Sequence, residues 1–189
     1  MDPKSQFAAL LEQGYLARRE GRPVDANAAY MAALQIAESG GDSALALTRL
    51  GGIERDMGND ETALGLYRQA VEIYRGLDEP LKLAHTVRHV GDIAHEVSQL
   101  ELAAACFSEA LSIYRSHSET GTLDLANTLR GYALLQTDLG RIEEAIALWR
   151  EAGQLYDKVW REPGSPFEQA DLAPGIAESQ RQVALLAAR

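Results

Sequence analysis

The chain has 189 residues, 46% of them hydrophobic and 24% charged, which is the profile of a folded protein and long enough for one substantial domain. A formal net charge of -10 repels phosphate backbones and anionic headgroups, which argues against nucleic acid and membrane surfaces as partners. Sparse aromatics, abundant alanine and leucine and the lack of β-branched runs favour an all-α fold.

The N-terminal stretch MDPKSQFAALLEQGYLARREG carries neither the basic patch nor the apolar core of a signal peptide. No apolar run approaches the roughly 20 residues that span a bilayer, and a cytoplasmic protein is the expectation. The single cysteine, Cys106, excludes an intrachain disulfide and a cysteine-built zinc site; beside Phe107 on an apolar helix it reads as a buried thiol.

Further along the chain one pattern returns four times without gaps: ANAAYMAA from Ala26, ALGLYRQA from Ala63, AAACFSEA from Ala103 and AIALWREA from Ala145. Each reads small, three residues, large or aromatic, two residues, small, with Tyr30, Tyr67, Phe107 and Trp149 in the middle. Spacings of four and three put these positions on one helical face, where alanine admits a neighbouring helix and the ring fills the space beside it. Twelve residues before each leading alanine stands a small residue: Gly14, Gly51, Gly91 and Ala133. Five residues before it stands Gly21, Gly58 or Gly140, suited to a left-handed cap, with Ser98 in that place in the third repeat. Each unit therefore reads as an inner helix, a tight turn and an outer helix.

The inner helices align as well: ALALTRLG from Ala44, AHTVRHVG from Ala84, ANTLRGYA from Ala126 and AESQRQVA from Ala177. The expected organisation is a single domain with repeats at about 4–38, 42–77, 80–117 and 122–160, a proline-rich connection at 161–173 and a terminal helix at 174–188 that covers the last full repeat.

This pattern resembles the tetratricopeptide repeat. The family's small, aromatic, small triplet is matched by Ala63, Tyr67 and Ala70, and its leucine-glycine pair by Leu50 and Gly51. The family's early tryptophan and its proline after the outer helix are absent. The leading alanines Ala26, Ala63, Ala103 and Ala145 stand 37, 40 and 42 residues apart, similar to the longer repeats of kinesin light chain-like arrays, so the outer helices are expected to run an extra turn. The resemblance implies a right-handed α-solenoid whose inner helices line a concave, ligand-contacting surface.

On that surface the stretch AHTVRHVGDIAHE, residues 84–96, matters most. At about 100° per residue, His85, Arg88, His89, Asp92, His95 and Glu96 form one polar stripe opposite Ala84, Val87, Val90, Gly91 and Ala94. Equivalent positions form rows across repeats: Thr48, Arg88, Arg130 and Arg181; beside them Leu45, His85, Asn127 and Glu178, and Arg49, His89, Gly131 and Gln182; further along the helices Asp56, Glu96 and Asp138. A basic track next to an acidic one suits a peptide. Arginine forks match carboxylates with two parallel hydrogen bonds, so Arg88 and Arg130 are assigned to a partner's carboxylates and Asn127 to its backbone. His85, His89 and Asp92 are assigned to orientation, with Thr48, Arg49 and Arg181 completing the contact set. The competing reading makes the arginines a set of ion pairs between adjacent helices, worth about 0–1 kcal/mol each where exposed.

The expected function is a non-enzymatic scaffold holding a peptide segment of a protein partner, without cofactor. His85 and His89, four apart, have the spacing of two metal ligands on a helix, but Arg88 between them opposes a cation, and no metal is assigned. No phosphate loop, dinucleotide fingerprint or nucleophile elbow occurs. Two alternatives stay open: a self-assembling homo-oligomeric module, and a small-molecule or metal sensor centred on the histidines.

Overall fold

The structure is a computed structural model that describes residues 2–162 and 169–188. Among the described residues there are nine helices and no strand: α1 (Pro3–Arg19), α2 (Pro23–Gln35), α3 (Gly40–Asp56), α4 (Asp60–Arg75), α5 (Pro80–Glu96), α6 (Leu100–Ser116), α7 (Thr122–Asp138), α8 (Ile142–Arg161) and α9 (Gln169–Ala187). They form four hairpins followed by one further helix. Prolines open α1, α2 and α5, where their fixed φ suits the helix and the missing N–H would have had no partner.

The inner helices α1, α3, α5 and α7 each span 17 residues, while the outer ones lengthen from 13 in α2 to 20 in α8. The turn between inner and outer helix is the same each time. Gly21, Gly58 and Gly140 take φ values of 70°, 79° and 71°, and Ser98 takes 61° in the third hairpin. Each closes a paired C-cap; in the second hairpin Gly58 N–H donates to Arg55 at 2.9 Å and Asn59 N–H to Glu54 at 2.8 Å.

Two helix starts differ from the sequence reading. Gly40 and Gly41 lie inside the first turn of α3, because the Ser39 hydroxyl caps the Asp42 N–H at 3.1 Å and starts the helix two residues early. The terminal helix begins at Gln169 instead of 174, with Pro174 inside it. A proline in the second turn forgoes one backbone bond but already has a helical φ. Residues 163–168 of the proline-rich connection lie outside the described residues.

The chain divides into two compact units, Met1–Ile93 and Ala94–Arg189. In the first, Tyr30 and Tyr67 are 1% exposed and lie against the inner-helix glycines: a Cβ on Gly14 would stand 2.3 Å from Tyr30 Cε1, and one on Gly51 3.0 Å from Tyr67. In the second, Trp149 packs with Ala133, Ala145 and Leu186, so the small residue twelve before the leading alanine again faces the ring. Cys106 is buried, and so are Tyr74, Phe107, Tyr114 and Tyr156. Leu172 of α9 joins the cluster of Leu111, Ala126, Leu129 and Tyr156, which fastens the terminal helix onto α7 and α8.

Candidate functional site

In the first unit the polar stripe of α5 is a packed cluster. Tyr67 of α4 stacks on His89 with ring centroids 5.0 Å apart and planes 9° from parallel, and His85 meets His89 edge-on at 4.8 Å. Arg88 lies along the same helix: Nη1 donates to Asp92 Oδ2 at 2.7 Å, and Nη2 stands 2.9 Å from His89 Nε2. Arginine has only donors, so His89 Nε2 accepts and its ring proton sits on Nδ1, 3.6 Å from Asp92 Oδ2. Arg55 of α3 approaches the same Asp92 oxygen at 3.5 Å.

Burial, then the Arg88 charge, lower the His89 pKa to about 3, which keeps the ring neutral. Burial alone would raise Asp92, but His89 and the guanidinium groups of Arg88 and Arg55 outweigh it and hold the carboxyl below its usual value. The Arg88 side chain is 11% exposed, with its Nε unpartnered among the described residues. Its carboxylate is thus Asp92 of its own helix. Thr48, expected on the open surface, is buried, with its hydroxyl on Ala44 O at 2.8 Å and 3.3 Å from Thr86 Oγ1. Arg49 and Arg181 are exposed on their helices.

The acidic row also has partners across neighbouring inner helices. Arg18 of α1 holds Asp56 of α3 through two hydrogen bonds of 2.6 and 2.9 Å, and in the second unit His95 Nε2 lies 2.7 Å from Asp138 of α7. Sequence reasoning ranked Arg18 nowhere. It lies four residues past Gly14, just as Arg55 lies four past Gly51 and His95 four past Gly91, so the register contained the signal.

An open concavity occurs in the second unit, where α7, α8 and α9 meet. It encloses about 290 Å³ and is lined by Asn127, Arg130, Tyr156 and Glu178 over Leu123 and Leu172. The Tyr156 hydroxyl donates to Asn127 Oδ1 at 2.7 Å, which turns the Asn127 amide so that its Nδ2–H groups have no partner among the described residues. Arg130 makes one long contact, Nη1 to Glu178 Oε2 at 3.4 Å, and its side chain is 42% exposed. Nε and Nη2 of Arg130 remain available. Asn127 and Arg130 were expected as ligand contacts, and the fold sets them on one wall; Tyr156 orients the asparagine from behind.

Chemically the cavity offers amide and guanidinium donors, one carboxylate acceptor and an apolar floor, a set matched to a peptide bond and a carboxylate. Among the described residues no group of three or more His, Cys, Asp or Glu side chains is placed to hold a metal ion, and no helix is long and apolar enough to cross a membrane.

Residues 5–76 match the family model described as tetratricopeptide repeat. No curated protein matches the chain. Among solved structures, BtubC (BKLC) from P. vanneervenii is similar with a TM-score of 0.73 and 22% identity over 89% of this chain and 70% of that one. MamA protein is similar with a TM-score of 0.59 and 14% identity, over 97% of this chain and 95% of its own. At these identities the likeness is one of fold, and it is the tetratricopeptide α-solenoid in both cases. With a tetratricopeptide match over residues 5–76 and two solved structures of similar fold, the chain has the α-solenoid fold of tetratricopeptide repeat arrays.

Proposed function

We propose that the chain is a non-enzymatic scaffold that holds a peptide segment of a partner protein, with Arg130 taking a carboxylate and Asn127 a backbone carbonyl. The tetratricopeptide fold supports an interaction role in general. The observation that carries the finer reading is the pairing of Asn127 and Arg130 one helical turn apart on a single cavity wall, both with donors to spare. Arg88 is left out of this assignment, since both ends of its fork already engage Asp92 and His89. Hydrogen bonds to charged groups contribute about 1.5–3 kcal/mol, so one such contact is worth roughly 10- to 100-fold in affinity.

Peptides selected against the intact protein from a displayed random library test the reading. They are expected to carry an acidic side chain or a free carboxyl terminus and to lose at least about tenfold in affinity on Arg130→Ala. Selected peptides that bind Arg130→Ala and Asn127→Ala as well as the parent protein would remove the assignment.

A further inference from the structure

A larger concavity of the second unit, about 530 Å³, is a different surface, a groove between α8 and α9 lined by Trp149, Val183, Ala184 and Ala187 together with the charged Arg150, Asp157 and Arg161. What belongs in it can be read from the repeat. Aligning α9 with α7 on Ala177 and Ala126 matches Gln180 to Leu129 and Ala184 to Ala133. On α7 those three positions are fully buried beneath α8: Ala126 and Leu129 cluster with Ala152, Tyr156 and Val159, and Ala133 with Ala145 and Trp149. On α9 the same three, Ala177, Gln180 and Ala184, are exposed. The terminal helix therefore presents the seat that α7 offers to α8, without a helix on it among the described residues.

Charge bears on the occupant. Where α8 lies beside α6, Arg115 bonds Glu151 at 2.7 Å, and the counterpart of Arg115 on α8, 42 residues on, is Asp157. Among the described residues Asp157 pairs with the exposed Arg161 of its own helix, a pairing worth about 0–1 kcal/mol and readily exchanged.

We infer that this groove docks an amphipathic α-helix of a partner protein, one with the small, aromatic, small spacing of the outer helices and a basic residue six positions after its first small residue, where it meets Asp157. The inference does not depend on the peptide cavity at Asn127 and Arg130.

The probe is a synthetic peptide of this chain's own α4, residues 60–75, carrying Gln69→Lys; it holds Ala63, Tyr67 and Ala70 in register and contains no tryptophan. In full-length protein with Trp160→Phe, Trp149 is the only tryptophan, and its emission reports on the groove. The expected result is a saturable change with the peptide and none with a scrambled version. Affinity should fall at least tenfold in Ala184→Arg and in Ala187→Arg, two exposed positions whose folding is checked by circular dichroism. Asp157→Lys should reverse the preference, favouring a Gln69→Glu peptide, while Arg130→Ala should leave binding unchanged. Equal response to the scrambled peptide, or binding indifferent to both arginine variants, overturns the inference. So does light scattering that finds a dimer dispersed by Ala184→Arg, because the occupant is then a second copy of this chain.

Discussion

Tyr67 lies flat on His89, ring against ring at 5.0 Å, and this contact turns the most conspicuous cluster in the sequence into part of the packing. The imidazole is closed in by Tyr67, His85 and Arg88, and its Nε2 lone pair is occupied by a guanidinium N–H. A ring in that position resists protonation.

The first expected outcome follows from that resistance. His89 has a pKa of about 3 in the folded chain and near 6.5 when unfolded, so between those values the unfolded state binds the extra proton. Its contribution is complete above pH 6.5 and is lost progressively as pH falls toward 3. Each unit in that window costs at most about 1.4 kcal/mol for this one group. Urea unfolding between pH 7 and pH 4.5 should show a shallower pH slope in His89→Gln than in the parent. Equal slopes would contradict the neutral, buried ring.

The glycines under the aromatic rings give a graded test. Replacing a helical glycine by alanine gains up to about 1 kcal/mol in propensity, while overpacking costs about 1–3 kcal/mol. At Gly14 the new methyl would lie 2.3 to 2.7 Å from three atoms of Tyr30, so Gly14→Ala should be clearly destabilising. At Gly51 the nearest ring atoms are 3.0 Å away, and Gly51→Ala should come out close to neutral. Thermal melts of the two variants should keep that order.

Ser98 is the one described non-glycine residue with positive φ, at 61°, in a turn where the other three hairpins use glycine. A left-handed conformation costs an ordinary residue roughly 1–2 kcal/mol. Ser98→Gly should therefore raise the melting temperature, by about 0.5–1 kcal/mol of stability after the added chain entropy of glycine is subtracted. Gly58→Ala, at φ 79°, should lower it.

Tyr156 connects the core to the cavity through one hydroxyl. Tyr156→Phe keeps the buried ring and removes the donor to Asn127 Oδ1, which should cost about 1 kcal/mol of stability. The freed amide can then rotate, so peptides selected against the parent protein should bind several-fold more weakly. A variant with lowered stability and unchanged peptide affinity would separate the hydroxyl from recognition.

How far the sequence reached depends on what kind of contact is asked about. The triplet Ala63, Tyr67, Ala70 and the glycine twelve residues earlier describe one contact made repeatedly, so spacing alone located it, and the left-handed caps came with it. Asn127 and Arg130, three apart on one helix, had to share a face for the same reason. Thr48 shows where that reasoning stops. A helical wheel gives the direction of a side chain and says nothing of the Thr86 hydroxyl standing in front of it.

By itself, then, the sequence determined the all-helical repeat, the aromatic core positions and the turn geometry, because each depends on periodicities of a few residues that the backbone enforces locally. Only the tertiary structure decided that Arg88 turns to Asp92 on its own helix, that Arg18 reaches Asp56 across 38 residues, and that Tyr156 and Glu178 complete a cavity around Asn127 and Arg130. Those choices depend on side-chain rotamers and on how far one helix is rotated against the next. A long flexible side chain can satisfy its charge along its own helix or across to a neighbour at nearly equal energy, and the packing selects between them.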